Sequence, residues 1–145
     1  MTIYAVGSGG KSAEQFFETL KSRGIKRLVD VRLRNTSQLA GFSKKNDLRY
    51  FLRALCGAEY VHLPCLAPTE ELLRAFKEHE IAWCDYENGF LELLARRNAI
   101  AQVDPSLFHA PAVLLCSEAL PEHCHRRLVA ERLCMEWGDA DIVHL

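Results

Sequence analysis

The chain has 145 residues, of which 49% are hydrophobic and 26% charged, and its formal net charge is −1. That length is typical of one domain, and the composition excludes a mainly disordered protein. The near-zero charge excludes a protein that coats nucleic acid with a wholly basic surface, although a local basic patch stays open. No apolar run approaches the ~20 residues of a membrane span, and no signal-peptide pattern is present. We therefore predict one cytoplasmic domain over residues 1–145, without a membrane partner.

Short apolar segments alternate with amphipathic segments, as strands and helices do in α/β proteins. In chain order, the predicted strands are Ile3–Val6, Ile25–Val31, Tyr60–Leu63, Ala112–Cys116 and Asp141–Leu145. The predicted helices run from Ser12 to Gly24, from Asp47 to Cys56, from Pro68-Thr69 onward, from Asp85 to Arg97, and from Pro121 to Trp137. Ser12 with Gln15 matches a capping box, and Thr69 is a good N-cap.

This alternation predicts the architecture. Strands separated by helices imply right-handed crossovers and a parallel sheet covered on both faces. We predict a three-layer α/β/α domain with a five-stranded, mainly parallel sheet, Rossmann-like or rhodanese-like in general layout. The order of the strands does not follow from this argument. An edge strand at the C-terminus leaves both a monomer and a homodimer open.

The six cysteines, Cys56, Cys65, Cys84, Cys116, Cys124 and Cys134, predict little disulfide bonding. Their even number is compatible with disulfides, but cysteines of a chain without a secretion signal are normally reduced. We interpret most of them as buried apolar thiols.

Polar and reactive residues follow several of the predicted strands. Ligands of open parallel sheets bind beyond the carboxyl ends of the strands. The residues at those ends, or at the start of the last helix, are Gly7, Ser8, Asp30, Arg32, Cys116, Glu118, Cys124, His125 and Arg126. A helix N-terminus with basic side chains favours an anion, so we expect a phosphate-bearing ligand at this edge of the sheet.

The segments IYAVGSGGKS, LVDVRLRNTSQLAGFSKK, YVHLPCLAP and LLCSEALPEHCHRRLVAERL resemble the bacterial and archaeal domain-of-unknown-function family 488. The family's hallmarks are a glycine in the first turn, a strand that ends in Asp-Val-Arg, and Cys-x-Glu followed by Cys-His-Arg. They correspond to Gly7, residues 30–32, 116–118 and 124–126. Members often have Gly-His in the first turn, whereas Ser8 follows Gly7 in this chain. The resemblance covers nearly the whole chain and implies a shared fold and site, but it implies no established reaction.

The ligand-binding residues predicted from this pattern are those that an anion needs. Arg32 and Arg126 would bind the anion, and Gly7 and Ser8 would form the floor of the site. Ser37 would contribute from the long polar segment 33–46, whose length favours a functional loop. The ligand would be a nucleotide or a nucleic-acid-derived molecule. The alternative interpretation is that the arginines and histidines only cap carbonyls or pair with nearby carboxylates.

The sequence leaves open whether the protein is an enzyme. In an enzyme, Asp30 and Glu118 would be the acid–base groups and His125 a proton carrier. Asp30 could equally be a buried ion-pair partner that fixes the shape of the site. A non-catalytic module that recognises a nucleotide or nucleic acid is the first alternative. Sulfur-transfer or redox chemistry at Cys116 and Cys124 is the second.

Two further motifs carry weaker signals. Ala5–Ser12 fits the loose Walker A pattern with Lys11 toward a phosphate, but Ser12 is already explained as a helix cap. A Cys-x5-Arg phosphatase loop is absent, because Glu122 stands where its arginine would be. A metal site would need His123, Cys124, His125 and Cys116, and the chain has neither Cys-x2-Cys nor His-Glu-x-x-His spacing. The sequence therefore predicts neither a metal nor a cofactor.

Overall fold

The computed structural model describes residues 1–36 and 40–145 and contains a five-stranded, all-parallel sheet. Its strands are β1 (Thr2–Gly7), β2 (Arg27–Asp30), β3 (Glu59–His62), β4 (Ala112–Cys116) and β5 (Asp141–His144). They lie in the order β3-β2-β4-β1-β5, with every neighbouring pair parallel. The predicted α/β class and parallel sheet are confirmed.

Six α-helices connect the strands in the described part of the chain: α1 (Ala13–Ser22), α2 (Lys45–Phe51), α3 (Glu70–Lys77), α4 (Trp83–Arg97), α5 (Ala99–Gln102) and α6 (His125–Trp137). Ser12 and Gln15 form both hydrogen bonds of the predicted capping box, and the Thr69 hydroxyl accepts the Leu72 amide. None of these helices combines the length and the apolar character that crossing a membrane requires.

Two predicted helices have different boundaries in the structure. The segment predicted as one helix over Asp47–Cys56 is α2 followed by a π-helical turn, Leu52–Cys56. The last helix was expected to begin at Pro121, but it begins four residues later with Cys124 as its N-cap. The reason is a turn in which the Cys124 amide donates to the Pro121 carbonyl at 3.2 Å. Residues 117–124 are therefore a loop, which we call the β4–α6 loop.

Helices cover both faces of the sheet. On one face, Phe16 and Leu20 of α1 and Leu52 pack with Val113 and Leu115 of β4 in one buried cluster. On the other face, a second buried cluster joins α4, α5 and α6 to the strand side chains that point to that face. The strands contribute to both clusters because successive side chains point to opposite faces.

The central strand β4 and its neighbour β1 show where the sheet should bind a ligand. β1 and β4 are neighbours, yet the chain leaves β1 for α1 on one face and leaves β4 for α6 on the other. Loops that diverge in this way create the crevice where open α/β sheets bind their ligands. Residues just after Gly7 and Cys116 therefore border the position where a site is expected.

Candidate functional site

A cavity of about 300 Å³ lies at the carboxyl ends of β2 and β4. Its lining comes from four parts of the chain. These are residues 32–34 after β2, Pro68 with Leu73, Phe76 and Lys77 of α3, Tyr86 of α4, and residues 116–118 and 123–125 around the β4–α6 loop. Of the residues predicted from sequence, the cavity brings together Arg32, Cys116, Glu118, Cys124 and His125.

A buried ion pair at the end of β2 positions the arginine of this cavity. Arg32 donates from Nε to Asp30 Oδ1 at 2.8 Å and from Nη2 to Oδ2 at 2.9 Å. The Arg32 amide and the Tyr60 hydroxyl also donate to this carboxylate, at 3.0 and 2.5 Å. Because Asp30 is fully buried and accepts four hydrogen bonds, its geometry favours the role of an orienting partner over that of a base.

The third nitrogen of this guanidinium has no such partner. Nη1 of Arg32 is buried and makes no hydrogen bond within residues 1–36 and 40–145, although the side chain is only 2% exposed and lines the cavity. Buried polar groups nearly always have a hydrogen-bond partner, and a charged donor without one is costly. An acceptor brought by a ligand would satisfy it.

The mouth of the cavity carries further positive charge. Arg34 and Lys77 line it with exposed side chains, and Arg34 also pairs with Glu70 at the start of α3. Among the described residues of the lining, the exposed Glu118 supplies the one carboxylate. Lys77 could not be found from the sequence, because an exposed lysine on a helix gives no local sign of a cavity. Ser37, the predicted contact from the polar loop, lies outside the described residues.

Arg126 occupies a different place from Arg32. It is fully buried under the β4–α6 loop and does not line the cavity. Its Nη1 donates to the Glu118 carbonyl at 2.6 Å, and its Nη2 donates to the Ala119 carbonyl at 3.3 Å. Burial lowers the pKa of Arg126. This placement matches the alternative interpretation, in which the arginine caps carbonyls and holds the loop.

Gly7 and Ser8 support the same loop. The Ser8 amide donates to the Cys116 carbonyl at 3.0 Å. The Glu118 carbonyl oxygen lies so close to the Gly7 Cα that a methyl group there would overlap it. Neither residue lines the cavity. The close packing of the β4–α6 loop against Gly7 is therefore a sufficient reason for a glycine at this position, and no bound ligand is needed to explain it.

The Walker-like segment is also engaged within the protein. The Gly9 amide donates to the Ser117 carbonyl at 2.9 Å, and Lys11 Nζ donates to the Gly7 carbonyl at 2.8 Å. Burial, followed by the charge of Arg126, lowers the pKa of Lys11. In a P-loop, backbone amides at these positions donate to phosphates. Here the same amides donate to carbonyls at and before the start of the β4–α6 loop.

Cys116, Cys124 and His125 meet at the inner end of the cavity. The structure places the two sulfur atoms at bonding distance, although their Cα atoms are 7.6 Å apart, beyond the roughly 4.4–6.8 Å that disulfides usually span. His125 Nε2 lies 2.7 Å from the Val31 carbonyl. Since a carbonyl only accepts, Nε2 carries the hydrogen and Nδ1 is unprotonated. Burial lowers the pKa of His125 to about 4, so the imidazole is neutral at pH 7.

Aromatic rings form one wall of the cavity. Phe76 of α3 and Tyr86 of α4 line it, with ring centroids 5.0 Å apart. The His123 ring stacks on Trp83 with centroids 5.0 Å apart, whereas the His125 ring lies against Phe90 at 5.4 Å. Trp83 and Tyr86 are three residues apart, the spacing of one helix face. Helical spacing alone does not distinguish a ring in the core from one that also borders a cavity.

Tyr60 gives a prediction for alkaline solution. Burial and the hydrogen bond to Asp30 raise the pKa of its hydroxyl. Above the ordinary tyrosine pKa of about 10, the unfolded chain loses this proton while the folded chain keeps it, so stability falls as the pH rises. We expect urea unfolding to show a smaller loss of stability between about pH 8 and pH 11 in Tyr60→Phe than in the wild type. Equal losses in both proteins would contradict this.

The chain was also compared with known proteins. The model of the family described as domain of unknown function DUF488 matches residues 12–133. This range includes Asp30, Arg32, Cys116 and Arg126, and it begins after Gly7. No curated protein and no solved structure matches the chain. Because the matched range spans most of its length, the chain belongs to the DUF488 family.

Proposed function

We propose that the domain binds a small phosphate-bearing ligand of the nucleotide class in the cavity at the ends of β2 and β4. The observation that carries the proposal is the buried Arg32 Nη1, for which the described residues offer no acceptor. Asp30 already fixes the plane of this guanidinium through two other nitrogens. A guanidinium held in this way is preorganised to donate to a phosphate oxygen.

The charges around the cavity support an anion. Arg32, Arg34 and Lys77 are cations of the lining, and Glu118 is the carboxylate among its described residues. Asp30 pairs with Arg32 and Glu70 with Arg34, so Lys77 and the unpartnered Nη1 of Arg32 are the cationic donors left for an anion in the described lining. A site lined mainly by one sign of charge raises the local concentration of the opposite ion. Since a phosphate group carries more negative charge than a carboxylate at neutral pH, it matches this excess better.

The size and the aromatic wall narrow the ligand class. A volume of about 300 Å³ is at the lower end of the roughly 300–1,000 Å³ of ligand pockets, which suits a mononucleotide-sized molecule. Phe76 and Tyr86 give the cavity an aromatic wall that a planar ring can contact. A ligand with a charged phosphate and a planar base therefore suits this cavity better than inorganic phosphate alone.

Glu118 favours an enzyme over a passive binding module. Its carboxylate is exposed at the cavity and belongs to a loop whose backbone is held by Arg126. A carboxylate beside a bound ligand can act as a general acid or base. We propose this role for Glu118, with Asp30 as the positioning residue for Arg32.

A thermal-shift screen tests the binding proposal. The panel contains inorganic phosphate, sulfate, nucleosides, nucleoside mono- and triphosphates, and short oligonucleotides. A ligand at 100 times its Kd stabilises a protein by about 2.7 kcal/mol, so its effect on Tm is measurable. We expect a shift with nucleoside phosphates and a much smaller one with nucleosides, because only the former reach Arg32 with an anion.

Variants locate the binding within the domain. Arg32→Lys keeps a cation beside Asp30 but lacks the planar fork, so we expect the shift to be lost. Lys77→Gln should weaken binding several-fold. Arg74→Gln is the matched control, because Arg74 is an exposed cation of the same helix that does not line the cavity. The absence of a shift with every phosphate compound, or an equal shift in wild type and Arg32→Lys, would contradict the proposal.

A further inference from the structure

We propose that Cys116, Cys124 and His125 form a three-ligand site for a zinc-class divalent metal ion, with its open position toward the cavity. One ligand atom from each residue lies within 4.8 Å of the other two. Two thiolates and an imidazole are ligands that zinc binds readily in proteins. The inference is independent of the anion site, because it depends on different side chains.

The backbone spacing of the two cysteines suits a bridging ion better than a direct bond. Their Cα atoms are 7.6 Å apart, whereas disulfides usually hold them roughly 4.4–6.8 Å apart. With Zn–S bonds of about 2.3 Å, a tetrahedral ion holds two sulfurs roughly 3.8 Å apart. The wider backbone spacing accommodates that separation. Cys116 ends a strand and Cys124 caps a helix, so both backbones are fixed by regular structure.

The surroundings of the three ligands are those of a metal site. Metal-binding histidines usually donate their other ring N–H to a carbonyl or carboxylate, which fixes the tautomer. His125 does so, since Nε2 lies 2.7 Å from the Val31 carbonyl and leaves Nδ1 as the ligand nitrogen. Arg126 Nη1 lies 3.4 Å from Cys116 Sγ and 3.5 Å from Cys124 Sγ. Arg126 therefore lies beside both sulfur atoms.

The three residues also leave room for a fourth ligand. Each of them lines the cavity, so the position that they do not fill faces the space proposed for the phosphate-bearing ligand. Structural zinc sites take four protein ligands, whereas catalytic sites take three and keep one position for water or substrate. The arrangement is therefore of the catalytic type.

Cobalt titration of the reduced full-length protein tests this site. Co²⁺ bound by thiolates gives a charge-transfer band in the near ultraviolet and visible bands typical of tetrahedral coordination. We expect saturation at one ion per chain and displacement by one equivalent of Zn²⁺. X-ray absorption of the zinc-loaded wild type should show two sulfur ligands and one imidazole. This second measurement needs no variant and so does not depend on whether a variant folds.

Substitutions identify the ligands. Cys116→Ser, Cys124→Ser and His125→Gln should each weaken metal binding by at least about 100-fold. Cys84→Ser and Cys134→Ser are the controls, because both residues are free cysteines outside the cluster. The proposal is overturned if reduced wild type gives no thiolate–cobalt band, if the band survives in Cys116→Ser, or if peptide mapping shows a Cys116–Cys124 disulfide that persists in reductant. In Arg32→Lys the band should persist, which separates this proposal from the anion site.

Discussion

Arg32→Met should lower the free energy of unfolding by about 3–5 kcal/mol, the usual cost of removing one partner from a buried ion pair. The substitution leaves the Asp30 carboxylate fully buried without its cation and removes two of the hydrogen bonds that it accepts. The Tyr60 hydroxyl and the backbone amide of residue 32 remain as donors. Urea unfolding followed by circular dichroism measures the change.

A double variant separates the charge effect from lost packing. In Asp30→Leu/Arg32→Met both charges are replaced by apolar side chains, so stability should return toward that of the wild type. Arg74→Met is the exposed control, since the Arg74–Glu78 pair is separated by 4.0 Å and both side chains are more than half exposed. Such pairs contribute about 0.3–0.5 kcal/mol. A loss in Arg32→Met no larger than that in Arg74→Met would contradict the role given to this ion pair.

Gly7→Ala should destabilise the domain by about 3 kcal/mol, at the upper end of the usual effect of overpacking. The added methyl group would overlap the Glu118 carbonyl, and Arg126 holds that carbonyl at 2.6 Å. The Ser8 amide bond to the Cys116 carbonyl restrains the same contact. The chain would have to separate the first turn from the β4–α6 loop. The change in Tm and the urea midpoint measure the effect.

Gly41→Ala is the control for this substitution, because a Cβ at Gly41 meets no atom within 4 Å. Its effect should stay within about 0.5 kcal/mol. The comparison also decides between two roles for the first turn. If Gly7 were the floor of a ligand site, the alanine variant would lose ligand binding while stability changed little, and that result would contradict the packing role.

The fold was predictable to the extent that it depends on local patterns. Apolar runs such as Ala112–Cys116 and the cap formed by Ser12 and Gln15 carry their signals within a few residues, and both predictions are confirmed. The strand order depends on which strands pair across the sheet, and a β-α-β alternation does not specify that. Pro121 is a good first residue for a helix, yet the turn in which the Cys124 amide donates to the Pro121 carbonyl places this residue outside α6.

The position of the site was easier to predict than the roles of its residues. The carboxyl-end rule brought Asp30, Arg32 and Cys116 to one edge without tertiary information. It did not distinguish Arg32, which borders the cavity, from Arg126, which lies beneath a loop. That difference depends on where the loop carbonyls lie in space.

The metal site proposed above is hard to predict from the sequence for a related reason. Motifs with metal-ligand spacing place their ligands two to five residues apart, whereas the two cysteines are eight residues apart. They meet because one ends a strand and the other begins the helix that returns over the same edge. Sequence spacing alone does not show that convergence.

The most direct test of the anion site is an NMR titration that follows the arginine side-chain N–H resonances. A nucleoside monophosphate is added to isotope-labelled wild-type protein. The Arg32 guanidinium signal should shift in a saturable way, while those of Arg53 and Arg74, which do not line the cavity, should not. Saturable shifts at Arg32 would place the phosphate on its unpartnered donor. Shifts confined to exposed arginines, with Arg32 unchanged at saturation, would contradict the account.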